Sequence, residues 1–280
     1  MPELPEVETV ASGVHARIHG QRILSVTLSG YREPFKTPAA EMAEALTGCR
    51  IERVYRVGKH IVFDLSQGRG KALAWQWIVH LGMTGRLLVS ERDVPAPKHT
   101  HAVLALSGGR ELRFVDARRF GRLALHRLQA GGGFRGAGFR GPGQEPLVVS
   151  SEEFAALFRG RKTSIKAALL NQKLLQGVGN IYADESLFRA GIRPTAIAGR
   201  LSRRRLDRLR GALGDVLRNA IELGGSSVSD YVDADGVKGF FQLEHRVYMR
   251  GGQPCKVCGA AIRRMVLAGR GTHYCPRCQR

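Results

Sequence analysis

Gln129-Ala-Gly-Gly-Gly-Phe-Arg-Gly-Ala-Gly-Phe-Arg-Gly-Pro-Gly-Gln-Glu-Pro146 is the stretch that divides this chain. A run so dense in glycine, with Gly131-Gly132-Gly133 and Gly141-Pro142-Gly143, builds no regular element and reads as a flexible connector. The texture differs on its two sides. Before it lie short strand-like runs separated by Gly, Pro and Ser. Leu24, Val26 and Leu28 alternate, Ile61-Val62-Phe63 is continuously apolar, and Trp75, Trp77 and Val79 share a face. Further runs cover 101–106, 111–115 and 121–126. Many short strands at this spacing predict an antiparallel sandwich rather than a parallel sheet.

Helices are expected at both margins of that β-rich part. The first runs from about Pro5 to Arg17, with Val7, Val10, Ala11, Val14 and Ile18 on one stripe and Gly20 closing it. It begins so near the terminus that Pro2 and Glu3 stand at the mouth of a rigid element. A second, short helix spans about Ala39 to Leu46 and ends at Gly48. Beyond the connector the pattern turns helical. Ser150 or Ser151 with Glu152 and Glu153 forms an N-cap region, and the best helix runs from Ser202 to about Leu223. Arg200 to Arg210 holds six arginines and one Asp, either a solvated face or a phosphate track.

The chain has 280 residues, 43% of them hydrophobic, which suffices for two packed domains and argues against global disorder. Its 44 Lys+Arg against 24 Asp+Glu leave a formal charge of +20. Such an excess repels itself unless a polyanion is the partner, and nucleic acid is the first candidate; a merely solubilising surface is the alternative. No apolar run is long enough to cross a bilayer, and Met1-Pro2-Glu3-Leu4-Pro5-Glu6 lacks the basic and then apolar start of a signal peptide. A cytoplasmic protein is expected.

Four of the five cysteines form two tight pairs, Cys255-Lys-Val-Cys258 and Cys275-Pro-Arg-Cys278, sixteen residues apart. Two such knuckles bring four thiolates to the corners of a tetrahedron, which suits one structural zinc with no position left for water. Residues 253–280 contain no acid, and Arg263, Arg264 and Arg270 lie between the knuckles. A hairpin too small for its own core is thus fixed by metal and offers only positive charge. Cys49 stands alone and reads as a small core residue.

Two further features are weaker. Gly177-Val-Gly179-Asn180 frees backbone amides to approach an anion at a helix start, or simply makes a tight turn. His80-Leu-Gly-Met83-Thr-Gly85 and Asp116-Ala-Arg118-Arg119-Phe120-Gly121 each set large side chains between small ones. A duplex wedge needs that combination, although Met and Phe taken singly are more often core residues.

Met1-Pro2-Glu3-Leu4-Pro5-Glu6-Val7-Glu8-Thr9, together with His80-Leu-Gly-Met83-Thr-Gly, Arg118-Arg119-Phe120-Gly121, Gly177-Val-Gly179-Asn180-Ile-Tyr182 and Arg270-Gly-Thr-His-Tyr-Cys275, resembles bacterial formamidopyrimidine-DNA glycosylase from end to end. The resemblance implies an α+β fold of two domains. The N-terminal one is an antiparallel two-sheet β-sandwich with flanking helices. The C-terminal one is a helix–two-turn–helix domain with a four-cysteine zinc-finger β-hairpin. The expected divisions are a catalytic domain over 1–130, a linker over 131–146, a helical domain over 147–252 with a lesion-recognition loop at 226–241, and the finger over 253–280.

By the same resemblance the protein excises oxidised purines, 8-oxoguanine and formamidopyrimidines, from double-stranded DNA and cleaves the abasic site, working as a monomer in the bacterial nucleoid. Met1 is removed and the Pro2 nitrogen attacks C1′ of the sugar. An α-amino group titrates at about 7.7–8.0, so it is substantially unprotonated near neutrality. Proline nitrogen in an imine has no second proton to lose, and the permanent iminium drives β- and δ-elimination of both phosphates. Glu3 is the implied general acid, Glu6 positions the terminus or is a plain first-turn acid, and Lys59 completes the catalytic set. Lys59, Asn180 and Arg270 are implied to grip phosphates, with Lys166 beside them. Met83, Arg118 and Phe120, next to Arg119, fill the gap left by the everted base. The metal ligands are Cys255, Cys258, Cys275 and Cys278.

Some positions depart from the family pattern. Ala117 replaces a usual proline, Met249 stands where glycine is common, the connector is long, and 233–239 in the recognition loop diverges. Two rival readings stay open here. One is an endonuclease VIII-like enzyme for oxidised pyrimidines; the other is a non-catalytic zinc-ribbon protein that binds nucleic acid.

Overall fold

The computed structural model describes residues 1–68, 72–128, 138–227 and 231–280. Residues 131–137 of the connector expected at 131–146, including Gly131-Gly132-Gly133, lie outside them, as does 228–230 of the recognition loop. The chain forms two compact units, 1–140 with 224–239, and 141–223 with 240–280. Residues 224–239, read from sequence as part of the helical half, thus group with the first unit.

The first unit opens with helix α1 (Leu4–Ile18), whose apolar stripe Val7, Val10, Ala11, Val14 and Ile18 is buried as its spacing predicts. Strand β1 (Ile23–Leu28) and helix α2 (Ala39–Leu46) follow, then β2 (Arg50–Val57), β3 (His60–Ser66), β4 (Leu73–His80), β5 (Arg86–Glu91), β6 (Thr100–Leu106), β7 (Arg110–Val115) and β8 (Arg122–Arg127). They make two four-stranded antiparallel sheets of order β1-β6-β7-β5 and β2-β3-β4-β8. Side chains from both sheets meet α1 and α2 in one core built on Phe63, Trp77, Leu104 and Phe114. The continuous run in β3 is buried on both faces. Leu24 is different: the β1–β6 register slips between Ile23 and Ser25, so Leu24 turns outward and the expected alternation fails there. β2 and β3 join through Gly58-Lys59, where Gly58 takes a φ of 58° as a two-residue hairpin turn requires.

The second unit contains α3 (Ser151–Phe158), α4 (Ile165–Leu169), α5 (Asn180–Arg189), α6 (Arg203–Glu222) and a hairpin of β9 (Arg263–Leu267) with β10 (Arg270–Tyr274). Ser150 caps α3 by accepting the Glu153 N–H, and Ser164 caps α4 through Ala167. α6 buries Leu206, Leu209, Leu213, Val216 and Leu217. Among the described residues no helix is long and apolar enough to cross a membrane.

Candidate active site

In the first unit the site is built from the start of α1. Glu3 is its N-cap, and Pro2, Glu3 and Glu6 are all buried, whereas Met1 is half-exposed. Glu6 works through both carboxylate oxygens. Its Oε2 accepts the Glu3 N–H at 2.8 Å and its Oε1 accepts the Ser226 N–H at 2.7 Å. The Tyr231 hydroxyl donates to the Glu6 carbonyl at 3.3 Å, and burial beside the Glu6 charge pushes that phenol well above its usual range. One carboxylate therefore holds the helix mouth and the 224–239 segment together. Of the two readings open for Glu6, geometry supports positioning. Ala234, nearly fully buried, and Asp235, paired with Arg17, fasten the same segment further along α1.

Lys59 lies at the tip of the β2–β3 hairpin and is buried. Behind it the rings of His60 and His80 are 5.0 Å apart. Burial, with His60, Lys59 and Arg122 nearby, drives His80 down to about 4, so the ring is neutral at pH 7 and its Nδ1 accepts the Gly82 N–H at 3.1 Å.

Met83 and Phe120 are 40% and 48% exposed on neighbouring loops, and Arg118, also exposed, stacks its guanidinium 4.8 Å from the Phe120 ring centroid. They are surface residues, not the core residues that each alone suggests. Arg119 is turned away from them, over the Tyr31 ring and 3.3 Å from Glu33, with a φ of 55°. A Cβ on Gly82 would fall 2.5 Å from the backbone at Phe120 and Gly121, so the two loops touch through glycine.

In the second unit Asn180 begins α5 and donates from Nδ2 to the Gly271 carbonyl at 2.9 Å. Arg270 is exposed just past Ala268-Gly269, whose φ values of 49° and 71° make the hairpin turn. Lys166 departs from expectation. Its side chain is 0% exposed, with Nζ 2.6 Å from Asp184 Oδ1 and donating to Thr272 Oγ1 at 2.8 Å and Gly271 O at 3.1 Å. An ammonium enclosed this way offers DNA no surface; it joins α4 and α5 to β10. Asp184 Oδ2 accepts the His273 N–H at 2.8 Å. Adjacent Glu185 accepts N–H groups of Arg246, Val247 and Tyr248, and burial raises its pKa despite them. Asp184 and Glu185 on the buried face of α5 thus anchor both flanks of the finger, a role sequence reasoning missed. Its signal was available: two acids between Ala183 and Leu187 on an apolar face.

The four finger sulfurs all lie within 4.8 Å of one another, with Cys258–Cys275 at 3.4 Å and Cys255–Cys278 at 3.9 Å. A tetrahedron with Zn–S near 2.3 Å has edges of about 3.8 Å, so the donor set fits one zinc and no disulfide. Phe188 of α5, Val247 and Ile262 complete the small core around the cysteines.

Met249, placed where glycine is common, has a φ of 56° and is exposed, which explains the preference it violates. Nothing in the structure explains why Ala117 replaces proline.

Comparison with known proteins agrees along the whole chain. The family description "Formamidopyrimidine-DNA glycosylase N-terminal domain" matches residues 1–123, "Formamidopyrimidine-DNA glycosylase H2TH domain" matches 142–232, and "Zinc finger found in FPG and IleRS" matches 252–280. A protein from Solibacter usitatus named formamidopyrimidine-DNA glycosylase is 46% identical over 280 residues, covering 100% of both chains. One from Desulfitobacterium hafniense with the same name is 42% identical over 287 residues, again covering 100% of each. Among solved structures, a Lactococcus lactis FPG mutant bound to a Fapy-dG-containing DNA superposes with a TM-score of 0.87 at 34% identity, covering 100% of both chains. The Lactococcus lactis Fpg bound to abasic DNA gives 0.86 at 34% identity and 99% coverage of each.

Proposed function

This chain belongs to the formamidopyrimidine-DNA glycosylase family, and from that membership we propose that it excises oxidised purines and then cleaves the abasic site through an iminium on Pro2. It is a base-excision-repair DNA glycosylase that acts on damaged bases in DNA, and its finger takes one structural zinc. The observation that carries the finer reading is the helix mouth. Pro2 and Glu3 precede the first turn of α1, and Glu6 fixes that turn from both sides.

Removal of Met1 frees a secondary amine, of which an appreciable fraction is unprotonated near neutral pH, and this free base attacks C1′ as the base departs. Glu3 protonates the ring oxygen so that the sugar opens and the nitrogen becomes the iminium. The charged nitrogen acidifies C2′, whose proton leaves as the 3′ phosphate departs in β-elimination; loss of the C4′ proton through the conjugated iminium then expels the 5′ phosphate in δ-elimination. The base must leave the stack before C1′ can be reached. Met83, Arg118 and Phe120 occupy the gap, while Lys59 in the first unit and Asn180 and Arg270 in the second bind phosphates. Cys255, Cys258, Cys275 and Cys278 would hold a zinc that cross-links the hairpin carrying Arg270, a structural contribution through which no bond change is routed. The protein acts as a monomer in the bacterial cytoplasm.

The test is release of base from duplexes holding 8-oxoguanine, a formamidopyrimidine or an oxidised pyrimidine. Release of the two purine lesions at least about tenfold faster is expected; faster release of the pyrimidine overturns the substrate assignment.

A further inference from the structure

The residues Met83, Arg118 and Phe120 are exposed, and the loops that carry them are joined at one buried group. Asp116 follows β7 and is 0% exposed. Its Oδ1 accepts the Thr84 hydroxyl at 2.5 Å and the Arg118 N–H at 3.3 Å, and its Oδ2 accepts the Gly121 N–H at 2.7 Å. Thr84 immediately follows Met83, and Arg118 and Gly121 bracket Phe120. Every bond that this carboxylate makes therefore ends beside a residue of the proposed wedge. The Asp116 carbonyl is fixed as well, 2.9 Å from His101 Nε2, whose other nitrogen lies 3.0 Å from the Ser29 hydroxyl.

We propose that Asp116 is a positioning residue that joins loops 81–85 and 116–121 into one preformed wedge, so that insertion opposite the extruded base needs no loop ordering. This rests on the wedge role given above to Met83, Arg118 and Phe120. A carboxylate suits the task because it only accepts, and all three of its partners are donors. Alanine removes every acceptor at once and strands the Gly121 N–H, whereas asparagine could keep its oxygen on Gly121 and turn its NH2 to the Thr84 hydroxyl, which accepts as well as donates. The usual proline is missing at position 117, so here the carboxylate restrains the loop without the fixed φ that proline supplies.

The experiment uses full-length, zinc-loaded protein and a duplex with a stable abasic analogue opposite 2-aminopurine, whose fluorescence rises when the wedge unstacks it. Amplitude is read at saturating protein, where affinity no longer contributes, and native fold is checked by circular dichroism. Asp116→Ala is expected to cut the amplitude at least about threefold, with Thr84→Val moving it the same way by a smaller factor. A folded Asp116→Ala protein with wild-type amplitude overturns the proposal. If Asp116→Ala does not fold, Thr84→Val decides, and wild-type amplitude there overturns it equally. Wild-type protein that binds the duplex without any fluorescence change sinks the wedge reading itself, a result distinct from unaltered variants beside a responsive wild type.

Discussion

Replacing Lys166 by Met separates a structural role from a DNA contact at a residue that family likeness places among the DNA-binding set. Lys166 and Asp184 are both 0% exposed, and their 2.6 Å pair is joined to β10 through Thr272, Gly271 and His273. Removing the ammonium strands a carboxylate that keeps the His273 N–H at 2.8 Å. Breaking a buried pair from one side costs about 3–5 kcal/mol, and the low end applies here because that donor survives. At about 3 °C per kcal/mol for a domain of this size, the second unit should melt roughly 10 °C lower. The double variant Lys166→Met/Asp184→Asn removes the stranded charge and should recover to within about 1 kcal/mol of wild type. Urea denaturation gives the stabilities, and DNA affinity across a salt series gives the second readout. Affinity should follow stability and return in the double variant. A single variant destabilised by less than about 1 kcal/mol, or a double variant that still lacks about one ion from its salt slope, would show that Lys166 meets phosphate directly.

Three other outcomes are expected. Ala268 holds a left-handed backbone in the β9–β10 turn, so Ala268→Gly should stabilise the hairpin by about 0.5–1 kcal/mol in thermal melts, and any loss of stability contradicts the turn geometry. His80 sits near 4 in the folded state against 6.5 unfolded, so its contribution is complete above about pH 6.5 and is lost as pH falls towards 4, by up to roughly 3 kcal/mol. Urea midpoints between pH 7 and 4 should fall less steeply in His80→Gln, and parallel slopes would refute the neutral ring. Chelating zinc should loosen Phe188, Val247 and Ile262 together and weaken DNA binding at least about tenfold, whereas unchanged affinity in protein verified metal-free by elemental analysis would separate the metal from that surface.

Local pattern made much of this fold legible. The α1 stripe, the α2 limits at Ala39 and Leu46, and the cysteine spacing each depend on near neighbours, and the structure places them as their periods require. What stayed hidden depends on partners distant in sequence. Lys166 looks like any surface lysine until Asp184 and Thr272 are brought to it, and periodicity does not register the slip that turns Leu24 outward. Asp116 was visible as part of a motif, but its three donors come from two loops, and only the fold brings them to one carboxylate. At the proposed centre the residue types of Pro2, Glu3 and Lys59 could be read in advance. Glu6 was left with two roles, and the N–H of Ser226, far along the chain, favours the positioning one.

The most direct test of the proposed chemistry is borohydride reduction during turnover on abasic duplex, followed by proteolysis and mass spectrometry of the trapped adduct. The expected product is a reduced deoxyribose fragment on the nitrogen of Pro2, at the end of a peptide that has lost Met1. Recovery of the sugar on a lysine side chain such as Lys59, or strand cleavage with no adduct on any residue, would contradict the mechanism.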